Sequence, residues 1–505
     1  MFCSVFSAAL YGVSCLKVSV EVSVSGGLPN FQMVGLLSSE VREAKERVSA
    51  AVTNSGYEIF SRKITVNLAP ADIRKEGSAF DLPIAMAILC GLGFVNDKCM
   101  EDTIFAGELG LDGSLKEITG ILPIAVMAYD ENIKRLVVPA GNVREAALIE
   151  GVEVLGFECL KDIVDYYNGE KAEVVVPAKR QGEQKDIDYA DFKDILGQQN
   201  AKRGAEIAAA GMHNLLLIGP PGSGKTMIAK RIPSILHSLS KDEMLEVAKV
   251  YSIMGMLNPD TMFKRPFREP SNTVSLAGLM GGKANPRPGE ITLANKGVLF
   301  LDEFPEFRRE TIEALRLPLE EKKIRVSRSG GTVTFPADFM LVAAMNPCHC
   351  GYYPDRNKCN CLERDIKKYQ SKVNGPILDR IDLCAKTEQI DIISQRRSYK
   401  SENKSIIEDS KTIKERVDRA ALIQFERYRD KSNKFNSGLE NSELEKYCAL
   451  SDTQEKLLGQ AVKKLDLSAR SYSRILKVSR TIADLDGSEK IRDEHILEAL
   501  SFKLK

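Results

Sequence analysis

The residues from Gly219 to Thr226, Gly219-Pro220-Pro221-Gly222-Ser223-Gly224-Lys225-Thr226, have the types and spacing of a phosphate cradle. Glycines let backbone N–H groups turn inward around phosphate oxygens, and a helix starting at the lysine adds its partial positive charge. Lys225 is then expected to reach the β and γ phosphates of ATP, and the Thr226 hydroxyl to ligate Mg²⁺. Asp302 and Glu303 follow the apolar run Val298 to Leu301. Asp302 can hold the water shell of the Mg²⁺, and Glu303 beside it can polarise an attacking water, so hydrolysis rather than binding alone is expected. Asn346, at the end of the run Met340 to Ala344, could position that water through its amide. Arg380 sits between Asp379 and Asp382, where a structural ion pair is as good a reading as a catalytic one.

Two further groups have chemical potential. Cys348-x-Cys350 and Cys359-x-Cys361 can bring four thiolates together if the intervening loop turns back, and four thiolates suit structural Zn²⁺. Structural sites more often leave two to four residues between paired cysteines. His349 is an alternative ligand, and reduced thiols or a redox bridge are the competing reading. Residues Lys322 to Phe335 alternate, turn at Gly330-Gly331 and alternate again, as a β-hairpin does, and they carry four cations and no acid.

These groups need a scaffold. The runs Leu215 to Ile218, Val298 to Leu301 and Met340 to Ala344 have the continuous apolar character of buried parallel strands, the pattern of a doubly wound nucleotide-binding core over 191–395. Downstream, 396–505 is almost all helix-forming, with helices expected near 412–430, 440–448, 453–464, 468–485 and 493–501. Upstream, 1–170 alternates strand and helix patterns. Val18, Val20, Val22 and Val24 form a strand, and Val41, Ala44, Val48, Ala51 and Val52 mark a helix from Ser39 to about Asn54, capped by Ser38 or Ser39. The polar stretch 171–190 is expected to be a linker.

The chain's 505 residues suggest about three domains. With 71 Lys plus Arg against 70 Asp plus Glu, it is neither a polycation nor an acidic tail protein, so nucleic-acid contacts must be local. Eleven cysteines, four of them clustered, argue against a secreted disulfide framework and for a reducing cytoplasm. Residues 1–16 and Leu82 to Val95 are apolar and uncharged, and both are too short to span a bilayer. The first lacks the basic residues of a signal peptide and is expected to fold.

The GPPGSGKT loop, Gly297 to Phe304 (GVLFLDEF), Asn346-Pro347-Cys348 and Gly375 to Asp382 (GPILDRID) together resemble the magnesium chelatase-like AAA+ ATPases of the YifB/ComM family. The likeness extends into the N-terminal region through Gly27 to Phe31, Val66 to Asp72 and Lys75-Glu76-Gly77 with Phe80 to Pro83. It implies that Asn346 is a phosphate sensor and that Arg380 is an arginine finger completing a neighbouring subunit's ATP site. Arg470 would be a second sensor on the helical lid, with Arg474 as its rival. An arginine acting in trans implies a homo-oligomer, by family a hexameric ring.

The family also implies that the hairpin projects into a central pore, where Lys323, Arg325 and Arg328 could track a DNA backbone without reading bases. A second insertion, from about Arg265 to Asn295 with Arg268, Lys283 and Arg287, resembles the family's pore-side insert. Where relatives tend to carry Pro-His-His-Thr, this chain has Pro270-Ser271-Asn272-Thr273, so no role of those histidines carries over.

The N-terminal region resembles the Lon proteolytic domain as well. Alignment puts Ala79 at the nucleophile and Leu122 at the lysine base, with Ser78 one place away, so the domain is expected to be inactive as a peptidase. The expected architecture is therefore a Lon-protease-like α/β domain, an AAA+ P-loop core and a C-terminal helical lid. The expected function is an ATP-driven motor on single-stranded or branched DNA, acting as helicase or branch-migration engine in homologous recombination or natural transformation. The alternative is a chelatase-like ATPase that remodels a partner protein. No membrane attachment is expected.

Overall fold

The computed structural model describes residues 1–59, 62–177, 189–282, 286–328, 331–373, 375–389, 408–430, 435–465 and 467–503. Contacts divide the chain into two compact units. One comprises Met1–Gln184, Met244–Met262 and Arg325–Phe335; the other comprises Lys185–Glu243, Phe263–Ile324 and Pro336–Lys505. Among the described residues no helix is long and apolar enough to cross a membrane.

The first unit is built on a seven-stranded mixed sheet, in the order Asn30–Val34, Arg62–Ala69, Ser14–Gly26, Phe2–Tyr11, Thr103–Phe105, Arg135–Pro139 and Glu153–Phe157. The N-terminal stretch folds as expected, with Phe2–Tyr11 a strand antiparallel to Ser14–Gly26. The alternating valines of the latter strand turn one face inward, with Val18, Val20 and Val22 fully buried. Helix Ser39–Asn54 buries the five expected apolar positions, and the Ser38 side chain accepts the Val41 N–H as its cap. Helix Asp81–Leu92 is buried on nearly every side and packs on the two N-terminal strands. Its Cys90 is joined to Cys3 by a disulfide, a bridge that the expectation of reduced thiols did not include.

Val175 exchanges both backbone hydrogen bonds with Gly156, so the start of the expected linker is paired to the sheet edge. Residues 178–188 lie outside the described residues. At the positions resembling Lon, Leu122 is fully buried. The Ser78 hydroxyl donates to Glu108, and the buried Lys75 ammonium donates to the Pro70 carbonyl.

The second unit carries a five-stranded sheet, all parallel, in the order Phe267–Arg268, Val298–Leu301, Met340–Met345, Leu215–Ile218 and Leu383–Lys386. The strand that comes first in sequence is thus interior, with later strands added on both sides of it. That is a topological switch point, where ligands bind at the carboxyl ends of parallel strands. Helix Gln199–Gly211 lies on Leu383–Lys386 and Leu215–Ile218, and helix Lys225–Ile235 on Val298–Leu301 and Met340–Met345. The C-terminal helices Ser410–Arg427, Asn441–Tyr447, Asp452–Lys464, Ala469–Leu485 and Asp493–Ser501 follow the expected pattern to within three residues. Ser410–Arg427 and Ala469–Leu485 pack on Gln199–Gly211, and their apolar faces join one core with the sheet.

Candidate functional site

Three neighbouring strand ends meet around Lys225. Leu215–Ile218 is wholly apolar, so it is driven into the interior, and the chain emerges from it at Gly219. Gly222 and Gly224 have φ of 71° and 86°, the left-handed region that side chains resist, and this turns the loop into helix Lys225–Ile235. A Cβ at Gly219 would overlap the Thr387 hydroxyl. Thr387 also shares a 2.7 Å hydrogen bond with Ser223, and the Gln198 amide donates to the Ser223 carbonyl at 2.9 Å. These two braces come from a strand end and a helix start far away in sequence, and no motif announces them.

Lys225 is nearly buried, and its ammonium donates to the carbonyls of Gly219 and Pro220 at 2.8 and 2.9 Å and to Asn346 Oδ1 at 3.1 Å. All three acceptors are neutral oxygens. Burial pulls this ammonium below its ordinary pKa, opposed by the charge of Asp302. A half-desolvated cation facing only neutral oxygens, behind a glycine-turned loop at a helix start, fits the phosphates of ATP.

One strand further along, Asp302 Oδ2 accepts the Thr226 hydroxyl at 2.7 Å, which places the expected pair of Mg²⁺ ligands together. Glu303 has φ of 50° and an exposed carboxylate; the Asn272 amide, from the segment that departs from the relatives' pattern, stands 3.5 Å from it. The arrangement can hold a metal nucleotide and present a carboxylate to water beside it.

Arg380, Arg470 and Arg474 are at the opposite ends of the strands. They line a cavity of about 280 Å³ together with Asn214, Lys296, Asp338 and Asp382, residues one or two places before strands. A strand rises about 3.3 Å per residue, so Asn214 and Gly219 stand roughly 16 Å apart. None of the three arginines is therefore within reach of the chain's own phosphate loop. The ion pair weighed as one reading of Arg380 forms with neither of its sequence neighbours: Arg380 pairs with Glu320, and its Nε is buried without a partner. Asp382 instead faces Arg474 at 3.6 Å and His213 at 3.5 Å. Arg474 also donates to the carbonyls of Leu378 and Ile381, whereas Arg470 is exposed at the cavity. Asn214 ties this edge together, accepting the Leu341 N–H and donating to the Arg380 carbonyl, both at 2.8 Å.

The sulfurs of Cys348, Cys350, Cys359 and Cys361 all lie within 4.8 Å of one another. Hydrogen bonding from the Tyr352 N–H outweighs burial and draws the Cys350 thiol down to about 6. The alternative ligand His349 packs its ring against Tyr369.

The family model described as magnesium chelatase, subunit ChlI, matches residues 191–394. Models of the ChlI subunit and of its C-terminal region match 20–142 and 407–503. Competence protein ComM of Haemophilus influenzae is 40% identical over 99% of this chain and 97% of its own length. Protein YifB of Escherichia coli is 40% identical over 99% and 96%. The chain belongs to the YifB/ComM family of magnesium chelatase-like proteins. A partial match, 26% identical over 40% of this chain and 42% of the relative, is to Lon protease 2 of Bacillus subtilis. The YifB/ComM family is an AAA+ one, which suggests an ATPase that uses ATP and Mg²⁺ and works as an oligomer.

In this YifB/ComM chain the hairpin forms from Lys323–Arg328 and Gly331–Pro336, with Lys323 and Arg325 exposed. Its turn residues 329–330 lie outside the described residues, as does Lys283 of the second insertion. Two other cations of that insertion are engaged within the unit. Arg265 is buried against His237, Glu243 and the Lys296 carbonyl, and Arg268 is held by both oxygens of Glu290.

Proposed function

We propose that the chain is an ATP-hydrolysing AAA+ ring motor that moves single-stranded or branched DNA. The observation that carries the ATPase reading is the convergence of Lys225, Thr226, Asp302 and Asn346 at adjacent strand ends. In this reading the loop Gly219, Pro220, Pro221, Gly222, Ser223, Gly224 wraps the phosphates with its N–H groups, Lys225 leaves its carbonyl partners for phosphate oxygens, and Thr226 and Asp302 hold Mg²⁺. When bound, the ion neutralises phosphate charge. Glu303 accepts a proton from the attacking water, and Asn346 orients that water against the phosphate.

Arg380 and Arg470 face the amino-terminal edge of the sheet, too far from their own phosphate loop to serve it, which supports their acting on a neighbour's nucleotide within a cyclic homo-oligomer. Arg474, occupied by Asp382, positions that edge. The four clustered thiols are assigned to a structural Zn²⁺. The N-terminal region is taken as Lon-like without peptidase activity, because Ser78 is engaged by Glu108 rather than by a lysine.

Support for DNA comes from the exposed cations Lys323 and Arg325 and from the similarity to a protein named for competence, ComM of Haemophilus influenzae. Protein remodelling is the second reading, favoured by the chelatase subunit description of all three family models. Steady-state ATPase activity with and without single-stranded and forked DNA separates the two, with Glu303→Gln as the blank. Several-fold stimulation, weakened by added salt and by joint Lys323→Ala and Arg325→Ala changes, supports the DNA motor. An unchanged rate with no DNA binding transfers the lead to the remodelling reading.

A further inference from the structure

The cysteine loop is built directly onto the phosphate loop. Gly351, in the turn between the two thiol pairs, has φ of 86°, and a Cβ there would overlap Cδ of Pro221 and come to 2.8 Å from its Cγ. Pro221 is the residue before Gly222 in the phosphate loop. A second tie runs through the strand end, since Cys348 follows by two residues the Asn346 that accepts a hydrogen bond from Lys225.

The thiols themselves are arranged for a metal. Tetrahedral Zn²⁺ with bonds of about 2.3 Å requires sulfurs about 3.8 Å apart, and Cys348 lies 3.3 Å from Cys350 and 3.8 Å from Cys359. These separations exceed those of disulfide bonds. The Tyr353 N–H donates to Cys348 Sγ at 3.4 Å, the kind of outer contact that orients a thiolate ligand. Buried apolar support for the loop is small, a satellite cluster of Cys348, Cys359 and Ile366 apart from the main core. A loop with so little core needs another constraint to hold one conformation.

We propose that one Zn²⁺ held by Cys348, Cys350, Cys359 and Cys361 sets the conformation of the phosphate loop through the contact of Gly351 with Pro221, so that nucleotide affinity follows metal occupancy. This rests on the zinc assignment made above and adds the coupling. The metal fixes the turn that carries Gly351, and that turn is the surface against which Pro221 packs. Without the ion the turn is released, Pro221 loses its support, and the N–H groups that follow it no longer converge. The ATP site is therefore open to control by agents that take zinc or attack thiolates.

The test uses the full chain. Zinc is counted by elemental analysis, and the affinity for a fluorescent ATP analogue is measured as purified, after zinc removal by a selective chelator, and after adding zinc back. The expected result is one zinc per chain, affinity reduced on removal by a factor of about 10 to 100, the range seen when groups that orient a site are lost, and recovery on return. Absence of zinc from the purified chain, with none taken up when ZnCl₂ is added, sinks the metal assignment and the coupling with it. Stoichiometric zinc whose removal leaves nucleotide affinity unchanged overturns the coupling alone. Gly351→Ala keeps all four thiols, and it is expected to retain zinc while binding the analogue more weakly; wild-type affinity in this variant overturns the Pro221 route.

Discussion

Thr226 and Asp302, seventy-six residues apart, share a 2.7 Å hydrogen bond between hydroxyl and carboxylate, so both proposed Mg²⁺ ligands are held in place by each other. The pair depends on two apolar strands, Leu215–Ile218 and Val298–Leu301, each flanking Met340–Met345. Asp302→Asn keeps the shape of this pair but removes the charge that a divalent ion needs. Its ATPase rate is expected to fall at least about a hundredfold, with the remaining activity shifted to higher Mg²⁺ concentration. A magnesium dependence identical to wild type would contradict the assignment.

Glu303 differs from Asp302 in being exposed and free of the Thr226 hydroxyl. Glu303→Gln should therefore leave nucleotide affinity within a few-fold of wild type while slowing hydrolysis by about 10²- to 10⁴-fold, the range of a lost general base. Equilibrium binding and single-turnover hydrolysis on the same preparation check this. A parallel loss of binding would move Glu303 from proton transfer to nucleotide holding.

The arginines of the amino-terminal edge are expected to divide. Arg380→Ala and Arg470→Ala should bind ATP but hydrolyse slowly, by about a thousandfold for Arg380 if it acts as a trans finger. Their thermal stability should stay close to wild type. If Arg380→Ala hydrolyses at the wild-type rate, the trans assignment fails.

Arg474→Ala should behave differently, because Arg474 is buried beside Asp382 and removing one member of such a pair costs about 3–5 kcal/mol. Burial opposes ionisation of Asp382, yet His213 and Arg474 hold its carboxyl below the usual range. A depressed carboxylate stabilises the fold fully above its unfolded value of about 4, and that contribution is lost as pH falls through the lower folded value. Urea midpoints measured from pH 6 down to pH 3 should drop more steeply for wild type than for Asp382→Asn. Parallel curves would remove Asp382 from the acid response.

Much of this site was legible before any coordinates. The phosphate loop, the two acids and Asn346 each stand at the end of a short apolar run, and a run of four apolar residues has few ways to be placed except as an interior strand. The C-terminal helices were legible for a similar reason, since their apolar spacing persists over several turns. What could not be read were relations between distant segments. Thr387 and Gln198 brace the phosphate loop through side chains with no motif of their own. Arg380 takes Glu320 in place of the acids beside it, because neighbours along a turn point apart while the helix Arg316–Glu321 brings its carboxylate across. Arg265 looked like a surface cation in a polar insert, yet it is buried among groups that only the fold assembles.

The parallel sheet gives the second unit two unlike edges, with the phosphate loop at one and Arg380 at the other. In the proposed ring the surface that offers Arg380 and the surface that receives it are different, so the contact between copies is heterologous. Under the trans role proposed for Arg380, a ring makes this contact head to tail, each copy offering its arginines to one neighbour and receiving those of another. Such a series either closes on itself or continues as a filament. An inactive phosphate loop in one copy and an inactive arginine in the next then fall in the same site or in different sites according to their order around the series. Mixtures of Lys225→Ala and Arg380→Ala chains would consequently contain intact sites that neither parent can form alone.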